Sequence, residues 1–143
     1  MEGVSPYIMI FHDDDCDVLS MIMCKEDFWL NYENEEYKDA SIFEIKRSQF
    51  NKLVKTLYNI SDKALVTCSN NKLIFNSLGV EIITDQKLIK SCVKINHRVD
   101  LKSLVQCENL QYNNVFSILR EDLFQSAYRI KNLGIFYLNI WHH

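Results

Sequence analysis

Few residues in this 143-residue chain have the types and spacing for catalytic chemistry. The densest group is His12-Asp13-Asp14-Asp15-Cys16-Asp17. Its carboxylates could gather a hard cation such as Mg²⁺ or Ca²⁺ through oxygen. It lacks the central glycine and distal glutamate of a helix-loop-helix calcium site, and a solvated hairpin turn accounts for it better. Neither His12 nor His97 belongs to a cluster of Cys and His with metal-ligand spacing, and His142 and His143 end the chain. The five cysteines (Cys16, Cys24, Cys68, Cys92 and Cys107) are odd in number and scattered, with no CxxC pair. They fit a reducing compartment and not a disulfide framework. No Gly-rich phosphate loop or GxSxG elbow occurs, and no Cys/His pairing stands out as a nucleophile with its base. The expectation is a protein without catalytic residues, metal ligands or cofactor, hence not an enzyme.

Two other groupings concern binding. Phe50, Leu53, Val54 and Leu57 form an apolar stripe at helical spacing, and Gln49, Lys52, Lys55, Thr56 and Asn59 occupy the opposite side. Phe28-Trp29-Leu30 is an apolar triplet inside an acidic segment that carries Glu26, Asp27, Glu33, Glu35, Glu36 and Asp39. Such a triplet either packs onto the domain or forms half of a binding pocket.

The elements that must position these groups read as follows. Pro6–Phe11 and Val18–Cys24 are apolar strands of a hairpin, which is marginal alone and must pair with the following domain or another chain. Ile42–Lys46 alternates as a strand. Ser48 stands where an N-cap belongs, and the helix bearing the stripe runs to about Ile60. Ala64–Cys68 and Leu73–Phe75 are strands around the turn Ser69-Asn70-Asn71-Lys72. Val80–Thr84 and Leu88–Ile95 follow as strands. Asp100 then caps a second helix, with Leu101, Leu104 and Val105 as its stripe, reaching about Leu110. Gln111–Asn114 is a turn, and Val115–Leu119, Leu123–Ile130 and Ile135–Trp141 are the last strands. The rhythm of strand, helix, strands, helix, strands defines an α+β domain, an antiparallel sheet with two helices on one face. Residues 1–24 form the N-terminal hairpin, 25–40 an acidic connector and 41–143 the main domain.

Composition bounds the rest. Hydrophobic residues make up 48% of the chain, with three Gly and one Pro, so regular structure dominates. The net charge of −3 gives no general pull towards nucleic acid, and any such contact must come from a local basic face. No signal peptide is expected, and no run approaches the roughly 20 apolar residues of a membrane span. A soluble, intracellular protein of the nucleus or cytoplasm, without membrane association, is expected.

These segments resemble a known family. Ala40–Arg47 (ASIFEIKR), the helix SQFNKLVKTLYNI and the strands KALVTCSNNKLIF are similar to the opening of the second domain of DNA sliding clamps of the proliferating cell nuclear antigen type. Ala127–Trp141 (AYRIKNLGIFYLNIW) resembles the C-terminal hairpin of that domain, with Tyr128, Arg129, Ile130, Gly134 and Phe136-Tyr137-Leu138 in the matching places. In the same comparison the N-terminal hairpin looks like a remnant of a first clamp domain, and the acidic segment stands where the interdomain connector would be. The chain departs from the family in three respects. Most of a first domain has no counterpart, the stretch between Gly79 and Asp100 is short, and Trp141-His142 replaces the family's small-residue and proline step. With almost all of a first domain missing, the resemblance implies either a C-terminal portion of a clamp or a reduced, divergent relative, such as a viral one.

The resemblance implies a processivity factor that tethers replication proteins to DNA by topology, without catalysis. It places Lys52, Lys55, Gln49 and Asn59, joined by Lys102, Arg98 and Lys90, against the phosphates of double-stranded DNA, in weak, non-specific contact. It implies that Phe28, Trp29 and Leu30, with Tyr137, Asn139 and Trp141, form a groove for an aromatic peptide of DNA polymerase or another replication protein. It also implies a homo-oligomer paired through sheet edges. The alternative is a non-encircling protein–protein interaction module, such as a viral accessory factor with the same fold. An ordinary solvated helix face and aromatics that merely cover a sheet account for the same residues.

Overall fold

The computed structural model describes residues 7–11, 19–24, 37–91, 94–130 and 134–141. In chain order the elements are β1 (Tyr7–Phe11), β2 (Leu19–Cys24), β3 (Ser41–Lys46), α1 (Arg47–Tyr58), β4 (Lys63–Ser69), β5 (Lys72–Ser77), β6 (Val80–Ile83), β7 (Gln86–Lys90), β8 (Ile95–Asp100), α2 (Leu101–Gln106), β9 (Tyr112–Arg120), β10 (Leu123–Ile130) and β11 (Gly134–Trp141). This is an α+β fold built largely of antiparallel sheet.

There are two sheets where the sequence led to one. The larger has seven strands in the order β1-β2-β11-β10-β9-β3-β7, and the smaller has four in the order β6-β5-β4-β8. The reason is that the chain changes sheet across each helix. β3 lies in the large sheet beside β9, but α1 delivers the chain to β4 in the small sheet. β8 lies in the small sheet beside β4, and α2 delivers the chain to β9 in the large one. The chain therefore runs twice through a strand-helix-strands unit, and each unit lends its first strand to the other's sheet, while β7, the last strand of the first unit, also joins the large sheet beside β3. The N-terminal hairpin joins this scheme directly, since β2 pairs antiparallel with β11 from Leu19↔Ile140 to Cys24↔Ile135.

One apolar core fills the space between the helices and the inner faces of both sheets. Phe43 and Ile45 of β3, Phe50, Leu53, Val54 and Leu57 of α1, Val66 of β4, Phe75 of β5 and Tyr128 of β10 all belong to it. The strict alternation of strands sends the intervening residues to the other face. On the large sheet that second face is also apolar, and Ile42, Phe116, Ile118, Ala127, Ile135 and Tyr137 are buried there with Tyr37 and Ala40.

Several boundaries differ from expectation. The span Leu88–Ile95 is not one strand: β7 ends at Lys90, and β8 begins at Ile95. β8 has the sequence INHRVD, in which His97 and Val99 are buried and Asn96 and Arg98 are exposed. β9 starts at Tyr112, so the expected turn at 111–114 is largely strand. α2 stops at Gln106, and the segment to Leu110 is held by turns, with Cys107 N–H donating to Leu104 O and Leu110 N–H to Cys107 O.

Candidate nucleic-acid interface

α1 is helical because its apolar residues recur at 50, 53, 54 and 57, all buried. Ser48 is not its cap. β3 stays paired with β9 through Lys46↔Asn114, so the helix begins directly at Arg47 with Lys46 as an extended N-cap that offers no side-chain hydrogen bond. Ser48 instead lies in the first turn and is exposed, in line with Lys52, Lys55, Thr56 and Asn59. In α2, Asp100 is the N-cap residue, but its carboxylate accepts from Ser103 Oγ at 2.7 Å and not from a backbone N–H. Neither helix contains an acidic residue.

The two helices lie antiparallel, the start of each beside the end of the other. Leu101 N–H at the start of α2 donates to Asp62 O, just beyond α1, at 2.9 Å. Arg47 at the start of α1 donates from Nη2 to Glu108 O and from Nη1 to Tyr112 O, each at 3.4 Å. Its guanidinium stands 4.9 Å over the Tyr112 ring, a cation–π contact that fixes the fork. Tyr112 OH in turn donates to Asn51 of α1. Beneath this junction, the Tyr112 and Tyr128 rings meet edge to face at 4.8 Å. Burial pushes the Cys107 thiol up to about 11, against a hydrogen bond with Tyr128 that lowers it. Burial likewise pushes Tyr112 up to about 12, with the Arg47 charge opposing, and raises Tyr128 well above its ordinary value. These groups are neutral packing elements of the helix mount at physiological pH.

Of the residues singled out in the sequence for DNA, the structure gathers some and disperses others. Lys52, Lys55 and Asn59 share the exposed face of α1, and Lys102 is exposed on α2. Gln49 is half-buried on the flank, and its Oε1 is buried without a hydrogen-bond partner. Lys55 is ion-paired with Glu108. Arg98 lies elsewhere, exposed on the outer side of the small sheet opposite Leu65. Lys90 is drawn to the far side of the large sheet, where Nζ donates to Tyr37 O at 2.6 Å.

The partner-binding residues also divide. Phe28, Trp29 and Leu30 lie outside the described residues, as does the acidic turn at 12–17. Tyr137 is buried in the same cluster as Tyr37, so the end of the acidic connector and β11 do share one patch. Asn139 is buried and accepts from Gln125 Nε2 at 2.7 Å, while Trp141 is half-buried.

Sequence reasoning missed three residues. Glu108 falls within the span expected for the second helix, where nothing marked it as the partner of Lys55. Arg47 gave no signal, because its acceptors lie 61 and 65 residues away. His97 reads as a surface residue but is 1% exposed, and its Nε2 donates to Arg120 O, joining the small sheet to the end of β9.

A polar cleft of about 300 Å³ is lined by Glu44, Lys46, Asp85, Gln86, Lys87 and Asn114. Its charges are balanced, and Glu44 is already held by Asn114 Nδ2 at 2.6 Å. Among the described residues no group of three or more His, Cys, Asp and Glu could hold a metal ion. No helix among them is long and apolar enough to cross a membrane. No protein-family model matches the chain, and no curated protein matches it.

Proposed function

We propose that this chain is a DNA sliding-clamp-like processivity factor, or a divergent relative of one, which holds replication proteins to duplex DNA without chemistry. The observation that carries the proposal is the composition of the helix pair. The chain has 19 acidic against 16 basic residues, yet α1 and α2 contain no acid and present Lys52, Lys55 and Lys102 to solvent. Lysine suits a sliding contact, being a hydrated, mobile point charge that reads no base. The doubled strand-helix-strands unit supports the same reading, because it sets two antiparallel helices side by side on one surface. So few contacts in one copy give weak binding, and several copies around one duplex multiply it. The outermost strands of the large sheet, β1 and β7, are the natural junctions between copies. All neighbours in this seven-stranded sheet are antiparallel, so β1 and β7 run in the same direction.

The test is duplex association measured by anisotropy across a salt series, for the parent and for Lys52→Glu combined with Lys102→Glu. Weak binding that falls with salt, and is lost in the variant, is expected. Equal binding by both removes the DNA-facing role of the helices.

A second reading, a non-encircling protein–protein interaction module, draws on a different observation. The small sheet exposes Leu65 (45%), Val80 (43%) and Ile83 (54%), with Leu78 (79%) at the tip of the β5–β6 turn. Protein association through this surface, with no DNA association at low salt, would favour it.

A further inference from the structure

We propose that Glu108 is an anionic gate over the basic face of α1, competing with DNA phosphate for Lys55. The proposal rests on the DNA-facing role just given to the helices. Glu108 follows α2 and is held there by its backbone. Its N–H donates to Val105 O at 3.0 Å, its carbonyl accepts from Arg47 Nη2 at 3.4 Å, and the preceding Cys107 is buried. Its backbone therefore stands at a fixed place beside α1, from which the carboxylate reaches Lys55. The Lys55 side chain is 57% exposed, the Glu108 side chain 27%. The acid is the less exposed member of the pair and the lysine the more exposed.

The exposed side of α1 carries two cations, Lys52 and Lys55, and Glu108 neutralises one of them. Among the described residues Lys52 and Lys102 carry no such ion pair. While Glu108 holds Lys55, its carboxylate cancels the charge that a phosphate would bind, so the two anions compete for the one ammonium. An ion pair this exposed is worth about 0.2–1 kcal/mol, so the exchange is easy and the lysine alternates between carboxylate and phosphate. Glu108 thus lowers affinity and removes one phosphate contact's worth of salt dependence in each copy. For a protein that must hold DNA loosely, the acid sets the looseness.

The experiment compares Glu108→Gln with the parent in the same salt series. Glu108→Gln is expected to bind duplex DNA about 1.4–5-fold more tightly, the conversion of that pair energy at 1.4 kcal/mol per tenfold. Its slope of log K against log salt is expected to steepen by about 0.9 per copy. Adding Lys55→Gln should abolish the gain. Glu121→Gln, the same change of net charge in the exposed β9–β10 turn, should produce none. An unchanged slope in Glu108→Gln, while Lys52→Glu still weakens binding, overturns the gate and leaves the DNA-facing role standing. An equal gain from Glu121→Gln reduces the effect to net charge and also overturns the gate. If neither Lys52→Glu nor Glu108→Gln alters binding, both proposals fall.

Discussion

Phe50 is the residue on which both sheets and the helix layer converge, and truncating it is the sharpest test of the fold. Its ring is 1% exposed and meets Phe75 of the small sheet at 6.4 Å and 75°, and Tyr128 of the large sheet at 6.4 Å and 71°. Phe50→Ala removes the transfer energy of the ring, leaves a cavity between two sheets that cannot both close on it, and deletes two edge-to-face contacts. A fully buried Phe→Ala change costs about 3–5 kcal/mol, and each edge-to-face contact accounts for about 0.5–1.5 kcal/mol of that. Because the neighbours belong to separate sheets, the loss should fall near the middle of the range, about 4 kcal/mol. That is a large part of the ~5–15 kcal/mol of a typical domain. At about 2–4 °C per kcal/mol for a chain of this size, melting should drop by roughly 8–16 °C. Urea titration with the slope held fixed is the assay, and a Phe50→Leu, Phe75→Leu double-mutant cycle isolates the pair, with a coupling of about 0.5–1.5 kcal/mol expected. A loss under about 1 kcal/mol for Phe50→Ala, with no coupling to Phe75, would refute the packing of the apolar face of α1 against both sheets.

Three further outcomes follow from single sites. Ser117 is fully buried, and its Oγ has no hydrogen-bond partner, so Ser117→Ala should be neutral or stabilising by up to about 1 kcal/mol in urea titration. Leu78 sits at φ +49° and is 79% exposed, ahead of Gly79 at φ +87°; Leu78→Asn should relieve about 1 kcal/mol of left-handed strain and raise the melting temperature by roughly 3 °C. Folding raises the pKa of Cys107 from 9.0 to about 11 and of Tyr112 from 10.0 to about 12. The unfolded chain thus loses these protons first, and stability should be fully present below pH 9.0 and fall progressively up to about pH 12. Urea midpoints across that range check this, and Cys107→Ala should delay the onset of the fall.

What the sequence disclosed follows the range of the forces involved. The stripe Phe50, Leu53, Val54, Leu57 set α1 apart, because helical burial repeats locally. The turn Ser69-Asn70-Asn71-Lys72 was legible because both asparagines take positive φ, at 53° and 63°, which few other residues accept. β10 was read at its observed limits from its own run of apolar residues. The exchange of first strands between sheets was not legible. Alternation tells which side of a strand is dry but not which strand lies beside it. β8 was missed because Asn96, His97 and Arg98 have no strand character. Its burial comes from β4 on one side and the core beneath, and His97 is accommodated by the Arg120 carbonyl. The candidate interface was half visible. The acid-free first helix could be read directly, but the end of α2 at Gln106 ahead of Glu108, the dispersal of Arg98 and Lys90 to other surfaces and the pairing of Lys55 with Glu108 depend on tertiary contacts.

The encircling mechanism is tested most directly by solution mass from light scattering over a concentration series. A clamp built from copies of this chain predicts one discrete oligomer, an integral multiple of 16.9 kDa, that persists on dilution. A monomer at every concentration would contradict encirclement, and the protein-interaction role would take its place.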